Sequence, residues 1–328
     1  MLTRDLIAGG ERWPKGRRLT AADLRAIAAG PEGDGRDTTV LLPDAGESHE
    51  DDAARRLATI VGGAGLAARP PRESRVDLVA RRDGVTWVDQ ALLARLDAID
   101  ALEVFTVLDG QVVRAGQLVA SVKIAPHLIP RRVLDRAARL GAGRAVVRVA
   151  GFRPHRVAAL VKESLHAPAR ARFEASVRQK VEALGSELVE PVYVADEFGP
   201  VTAALRDLLA RRPSVDLVLT AGGASTDPDD PFYQALAAVG GRVVRHGVPA
   251  HPGSMVWLGR AGTTTILGLP TCGAYSRATA ADLLLPWLLS GAPATRATVA
   301  RLGHGGILTR DMRFRMPTYA QALDAPEG

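Results

Sequence analysis

The sequence predicts an α/β fold in which a three-layer αβα domain with a mostly parallel sheet follows a smaller mixed region. Three observations lead to this prediction. Beyond residue 154, apolar strands alternate with helices at the spacing of a parallel, helix-covered sheet. Between residues 76 and 124, short strand patterns follow one another with one helix among them. The length of 328 residues suits about two domains with sizeable cores.

The first half of the chain is predicted to form two regions, an α+β segment at 1–75 and a β-rich small domain at 76–153. Thr20 is the expected N-cap of a helix at 19–29. The turns 82–84 and 108–110 contain Asp-Gly, which is typical of β-hairpins. The other elements predicted here are a Gly-rich turn at 30–37, a strand at 39–42, helices at 48–61 and 89–99, a short helix after Pro130 and a strand at 144–150.

The second half is predicted as the αβα domain at 154–291 and a C-terminal extension at 292–328. Ligands of such sheets bind at the carboxyl ends of the strands, which directs attention to the loops after Thr220 and Gly268. The predicted elements are strands at 157–162, 187–194 and 216–220 and near 243, 256 and 266, with helices at 168–184, 198–211, 230–239 and 276–289.

Composition excludes several classes of protein. Hydrophobic residues make up 47% and charged residues 24%, as in ordinary globular chains. No apolar run approaches 18 residues, and residues 1–18 lack a signal-peptide core, so neither a membrane span nor a leader is expected. The single cysteine, Cys272, fits a reducing cytoplasm. The net charge of +6 comes from scattered arginines without interleaved aromatic residues, so nucleic-acid binding is not expected.

The strongest local feature is the loop that follows Thr220. Gly222 and Gly223 allow close backbone approach, Ser225 and Thr226 offer hydroxyls, and the following helix N-terminus attracts an anion. These parts predict a phosphate cradle, although the same Asp-Pro pattern is typical of ordinary helix caps. The loop has neither the Walker A nor the dinucleotide-binding glycine pattern.

Charged residues flank this loop. Asp227, Asp229 and Asp230 either hold Mg²⁺ beside a bound phosphate or favour the helix dipole, and the sequence leaves both interpretations open. Lys162 and Glu163 end the first strand of the domain, where they face the same cleft or form a surface ion pair.

Two more loops, at 246–254 and 268–276, follow strands and are rich in glycine and proline. Rigid turns of this kind expose backbone N–H groups and suit a flat, polar ligand. His246 and His251 lack partners at metal-ligand spacing, so a zinc site is not expected. A lone cysteine such as Cys272 is more often a small buried apolar residue than a nucleophile.

These three loops resemble those of the molybdopterin-binding domain found in molybdenum cofactor biosynthesis proteins. The counterparts at 222–227, 251–254 and 268–273 occur in the family's order and strand context over residues 156–291. His251 and Ser254 replace two family lysines, and Cys272 replaces an asparagine. The sequence is also similar to the molybdopterin-binding region that precedes a cytidylyltransferase-like domain in fused proteins, through segments 15–20, 50–58, 75–78 and 122–126.

The resemblance implies a protein that binds molybdopterin or the molybdenum cofactor, in biosynthesis or handling of that cofactor. One alternative is catalysis like that of the molybdopterin molybdenumtransferase, with Asp227, Asp229 and Asp230 as catalytic residues and Asp229 and Asp230 as Mg²⁺ ligands. The other is a non-catalytic carrier or a regulatory, partner-binding module with a degenerate pocket. The carboxylates favour the first alternative and the lost lysines the second.

The resemblance also implies a partner and a location. The expected partner is a phosphorylated pterin, without nucleic acid or membrane, and the expected state is a cytoplasmic homo-oligomer, a dimer or trimer. No nucleotidyltransferase loop follows residue 292, so nucleotide transfer is not expected. The cofactor contacts implied are Gly222, Gly223, Ser225, Thr226, Pro252, Gly253, Ser254, Gly268, Pro270 and Cys272.

Overall fold

The computed structural model describes residues 1–8, 10–29, 38–162, 166–223, 225–269 and 278–321. The chain divides into two compact units. The first unit comprises Met1–Arg82, Thr86–Asp109 and Val113–Val149, and the second comprises Asp83–Val85, Gly110–Val112 and Ala150–Gly328. The α/β class predicted from the sequence is confirmed.

The first half of the chain alternates short strands with helices. The strands are β1 (Leu6–Ala8), β2 (Glu11–Trp13), β3 (Glu47–His49), β4 (Leu66–Ala68), β5 (Arg75–Ala80), β6 (Gly84–Val88), β7 (Leu102–Thr106), β8 (Val112–Val113), β9 (Leu118–Ile124), β10 (Leu128–Pro130) and β11 (Val147–Gly151). The helices are α1 (Ala21–Ala28), α2 (Glu50–Val61), α3 (Gln90–Asp97) and α4 (Arg131–Gly141).

The core of the first unit lies between an antiparallel sheet and helix α2. The sheet has the strand order β4-β5-β9-β7, and its inward residues include Leu78 and Val122. Helix α2 packs its apolar stripe into the same cluster, at the period expected of an amphipathic helix. The stripe is formed by Ala53, Ala54, Leu57, Ala58 and Val61.

Three local predictions in this half are wrong. The strand expected at 39–42 is an isolated bridge between Val40 and Leu2. The turns at 82–84 and 108–110 do not close hairpins, because β5 and β7 belong to one sheet and β6 and β8 to another. Asp109 illustrates the reason: its carboxylate accepts a hydrogen bond from the Val88 N–H, which ties the turn to β6. The helices predicted at 19–29, 48–61 and 89–99 are confirmed, with small shifts of their ends.

The second half of the chain has the predicted alternation. Its strands are β12 (Arg156–Val161), β13 (Glu187–Leu188), β14 (Val192–Tyr193), β15 (Leu217–Ala221), β16 (Arg242–Arg245), β17 (Trp257–Ala261) and β18 (Thr264–Gly268). Its helices are α5 (Ala167–Glu182), α6 (Phe198–Ala210), α7 (Pro231–Ala238), α8 (Ala280–Leu289), α9 (Arg296–Ala300) and α10 (Thr318–Gln321), with short 3₁₀ turns at Arg301–Gly303 and Arg310–Arg315.

Strands β12 to β18 form a seven-stranded sheet. Its order is β13-β12-β15-β18-β17-β16, with β14 also paired to β12. Strands β12 to β15 and β18 run parallel, whereas β16 and β17 are antiparallel to their neighbours. The single strand predicted at 187–194 is split into β13 and β14. Pro191 lies in the gap, where it has no N–H to donate to a ladder.

Helices cover both faces of this sheet. On one face, residues of α6 and α7 such as Leu205 and Phe232 share a core cluster with Leu160 and Val218. Strand β15 is buried at every position, so its opposite face is covered as well. An ion pair between the buried side chains of Lys180 and Asp282 joins helices α5 and α8. None of the described helices is long and apolar enough to cross a membrane.

Two glycines of the first unit have the same backbone conformation but differ in how closely other residues pack against them. Gly65 and Gly116 share a backbone φ of +79°, in the left-handed region. A Cβ on Gly65 would lie 2.2 Å from the Val149 carbonyl oxygen, whereas nothing lies within 4 Å of one on Gly116.

We expect Gly116→Ala to lower the free energy of unfolding by about 1–2 kcal/mol, the cost of a left-handed alanine. Gly65→Ala should lower it by about 1–3 kcal/mol more, because the Val149 backbone must move. Urea unfolding of both variants measures the difference, and equal losses would contradict the packing argument.

Candidate functional site

The carboxyl ends of three parallel strands lie side by side in the second unit. At the end of β12, the Lys162 N–H donates to the Ala221 carbonyl at 3.1 Å. At the end of β18, the Leu269 N–H donates to the Thr220 carbonyl at 2.8 Å. The loops after Thr220 and Gly268, which the sequence singles out, therefore begin at neighbouring positions on one edge of the sheet.

The loop after β15 opens with a turn that requires glycine. Gly222 has a φ of +87°, which L side chains rarely adopt. A Cβ on Gly223 would lie 3.2 Å from Cδ2 of Phe232, so a side chain there would press on the first turn of α7. Gly222, Gly223 and Ser225 are half-buried and Thr226 is exposed, so these four residues are partly accessible to solvent.

A buried ion pair lies beside this turn. The Lys162 ammonium is 3.1 Å from Oδ2 of Asp230, and both side chains are only 2% exposed. The other carboxylate oxygen of Asp230 accepts a hydrogen bond from the Phe232 N–H at 2.8 Å and so caps α7. The ammonium also lies 2.6 Å from Oδ1 of Asp196, whose side chain is 57% exposed. One positive charge therefore faces two negative charges.

Asp227, Asp229 and Asp230, which are close together in the sequence, have different roles. Asp230 is buried and paired with Lys162. Oδ1 of Asp227 accepts a hydrogen bond from the Asp229 N–H at 2.9 Å, an Asx turn that shapes the loop. Asp229 is exposed. Among the residues that the structure describes, no three His, Cys, Asp or Glu side chains are grouped so that they could hold a metal ion.

Tyr233 connects the loop to the rest of the domain. Its hydroxyl donates to the Ser225 carbonyl at 3.0 Å. Its ring packs edge-on against Trp257 of β17 and against His246, with centroid distances of 5.1 and 5.0 Å. Burial, and secondarily the charge of Asp230, raises the pKa of Tyr233 to about 12. The phenol therefore stays protonated and donates at neutral pH.

The loop between β16 and β17 meets the start of α8. The Ala280 N–H donates to the Pro252 carbonyl at 2.9 Å, and the Val248 N–H donates to that of Ser254 at 2.9 Å. A Cβ on Gly253, which has a φ of +100°, would lie 2.7 Å from the Ala280 nitrogen. Only glycine fits there, and residues 252–254 remain half-buried rather than enclosed.

The remaining predicted site residues divide into two groups. Gly268 is buried, and a Cβ there would lie 1.8 Å from Nε1 of Trp257, so packing alone requires glycine. Glu163, Pro270 and Cys272 lie outside the described residues, and their predicted roles stay predictions.

Sequence reasoning missed two contributors to the site and left the burial of a third open. It offered Lys162 as facing the cleft or forming a surface ion pair, whereas the ammonium is buried between two carboxylates. It did not propose Asp196 or Tyr233. A lysine at the end of the apolar run VAALV was a usable signal, because a charge that follows five buried residues needs a partner.

Residues 163–290 match the model of a probable molybdopterin binding domain. The match covers the loops described above and begins directly after Lys162. It confirms, for this segment, the resemblance drawn from the loop motifs. No curated protein matches the chain.

Several solved structures show a weaker likeness. Molybdenum cofactor biosynthesis protein B is 14% identical, with 47% of this chain and 94% of that chain covered and a TM-score of 0.30. The molybdopterin biosynthesis MoeA protein from Pyrococcus horikosii is 15% identical, with 77% and 80% covered and a TM-score of 0.32. A NadC deletion mutant is 11% identical, with 50% and 68% covered and a TM-score of 0.17.

The contact between Tyr233 and Ser225 is testable through stability. Tyr233→Phe should lower the free energy of unfolding by about 1 kcal/mol at neutral pH, the value of one hydrogen bond. Because the pKa of Tyr233 is higher in the folded than in the unfolded chain, its stabilising contribution is complete below pH 10. That contribution is lost as the pH rises towards 12. The free energy of unfolding of Tyr233→Phe should therefore not show this part of the alkaline decrease.

Chemical unfolding at a series of alkaline pH values measures both effects. Burial also raises the pKa of Tyr193 and of Tyr319, but those residues contribute equally to both proteins. An identical alkaline slope in wild type and Tyr233→Phe would contradict the proposed burial of the phenol.

Proposed function

We propose that the second unit binds a phosphorylated pterin of the molybdopterin type and acts in the biosynthesis or handling of the molybdenum cofactor. The observation that carries this proposal is the open Gly222–Gly223 turn at the carboxyl end of β15. It lies within the segment that matches the molybdopterin binding domain model. Sheets of this kind bind ligands at that edge.

The phosphate of the ligand is assigned to the loop at 222–226. The left-handed turn at Gly222 and the missing side chain at Gly223 leave the backbone approachable, and the hydroxyls of Ser225 and Thr226 add donors. Helix α7 begins a few residues later and presents its positive end to the same region. Lys162 supplies a cation close to this backbone, because its ammonium pairs with the Asp230 oxygen that would lie 3.5 Å from a Cβ on Gly223.

The flat ring of the ligand is assigned to the half-buried turn at Pro252, Gly253 and Ser254. Its geometry is held by the hydrogen bond from Ala280 and by the close packing of Gly253 on α8. Ser254 offers a hydroxyl at a position where the family has lysine. Pro270 and Cys272 complete the proposed contact set as predictions.

Of the two alternatives left open by the sequence, the geometry supports binding more directly than metal-assisted catalysis. Asp230, one of the two predicted Mg²⁺ ligands, uses one carboxylate oxygen for Lys162 and the other for the Phe232 N–H. A metal ion would have to displace the buried lysine from it. Asp227 and Asp229 remain the residues on which a transferase activity would depend.

The phosphate assignment predicts that Gly223→Val weakens binding of a phosphorylated pterin. The branched side chain would press on Phe232 and cover the backbone that the phosphate approaches. We expect a dissociation constant at least about tenfold higher, which corresponds to about 1.4 kcal/mol.

Isothermal titration with molybdopterin or a phosphorylated pterin measures this change. Gly46→Val is the matched control, because Gly46 belongs to the first unit, has an ordinary φ and has nothing within 4 Å of its added Cβ. Unchanged affinity in a folded Gly223→Val protein would refute the phosphate assignment.

A separate prediction concerns Mg²⁺. Because Asp230 is engaged by Lys162, the affinity for the phosphorylated pterin should be the same in millimolar Mg²⁺ and in EDTA. Asp229→Asn removes an exposed charge. In this variant too, the affinity should be the same in Mg²⁺ and in EDTA. Tighter binding in Mg²⁺ that is lost in Asp229→Asn would favour the transferase alternative instead.

The homo-oligomeric state stays a prediction that sedimentation velocity can test.

A further inference from the structure

The two carboxylates that hold Lys162 are unequal partners. Asp230 is 2% exposed and Asp196 is 57% exposed, yet both approach the same ammonium, at 3.1 and 2.6 Å. The ammonium also lies over the ring of Phe232, 5.3 Å from the ring centroid. Among the described residues, the ammonium thus contacts one fixed carboxylate, one ring and one carboxylate that reaches solvent.

Asp230 cannot leave this arrangement at low cost. Its second oxygen caps α7 through the Phe232 N–H, and its carboxylate would be buried without a cation if Lys162 moved away. Asp196 lies in the bend between β14 and α6, outside regular structure. If it left the ammonium, water would solvate its carboxylate, so its bond resembles an exposed ion pair and contributes little to stability.

The ammonium is close to the proposed phosphate loop. Oδ2 of Asp230, which contacts Lys162, would be 3.5 Å from a Cβ on Gly223. The Lys162 backbone is bonded to Ala221, the residue before Gly222. An anion seated on the Gly222–Gly223 backbone would therefore be a neighbour of the same ammonium that Asp196 occupies.

We infer that Asp196 is an internal competitor for the anionic ligand. Without ligand its carboxylate neutralises Lys162, and on binding it yields the ammonium to the phosphate of the ligand. This inference rests on the proposed function. It names Lys162 as a direct phosphate contact and Asp196 as the residue that sets the selectivity of the site. A dianionic phosphate monoester displaces a carboxylate more readily than a monoanion does, because its attraction to the ammonium is stronger.

Removing the competitor should strengthen anion binding. With inorganic phosphate as the probe, Asp196→Asn should lower the dissociation constant by about two- to fivefold, the upper part of the range for exposed ion pairs. It should also reduce the preference for phosphate over a monoanion such as formate. Glu197→Gln is the matched control, because it removes the same charge from the next residue, which is exposed and forms no described ion pair. That variant should change the affinity by less than about twofold.

The gain must also depend on Lys162. In the Lys162→Met background, Asp196→Asn should give no gain, since there is no ammonium to release. Lys162→Met leaves Asp230 buried without a cation, so its folding is checked by circular dichroism. The comparison of Asp196→Asn with Glu197→Gln carries the test by itself if Lys162→Met does not fold.

Each outcome bears on the inference. No tightening in Asp196→Asn, an equal gain in Glu197→Gln, a gain that persists without Lys162, or no phosphate binding by any variant would overturn it. The proposed function is tested separately by the phosphorylated pterin. Binding of phosphate with the Asp196 effect, but no binding of the pterin, would refute the proposed function alone. Binding of the pterin without any Asp196 effect would refute the competitor alone.

Discussion

A lysine ammonium removed from water and balanced by a buried carboxylate is the constraint on which the candidate site depends. Transferring the charges of Lys162 and Asp230 out of water costs several kcal/mol per ion, and only close pairing with additional hydrogen bonds offsets that cost. The pair therefore fixes two elements against each other. Lys162 directly follows β12 and Asp230 is the N-cap of α7, so the pair holds the start of this helix against the end of that strand.

The same constraint explains how the loop between β15 and α7 can be exposed to solvent and still be held at both ends. Its first residues follow Ala221, which is bonded to the Lys162 backbone, and its last residue is Asp230. Tyr233 adds a third attachment through the Ser225 carbonyl. The ring of Tyr233 then rests on Trp257, and Trp257 in turn fills the space beside Gly268 at the end of β18. Packing thus joins two of the three candidate loops, which suits a ligand that contacts both.

Much of this domain could be predicted from the sequence because its signals are local. The apolar runs that become β12 and β15 are buried on both faces, and Asp-Pro before α7 marks a helix start. Pairing between distant segments leaves no such signal. The Asp-Gly turns at 82–84 and 108–110 look like hairpins, yet their flanking strands belong to different sheets. Likewise, Asp196 is 34 residues from Lys162 in the chain, and nothing near either residue announces the contact.

The acidic run after Thr226 shows how adjacency in sequence misleads about chemistry. Three carboxylates within four residues suggest a cation site, but the chain turns into a helix at Asp230 and directs that side chain inward to Lys162. Asp227 is used to shape the turn, and Asp229 stays in solvent. A cation already occupies the cluster, and it is a lysine of the protein. The exposed carboxylates of Asp227 and Asp229 are screened by water and salt, so they oppose an anion beside the glycine turn less than a buried carboxylate would.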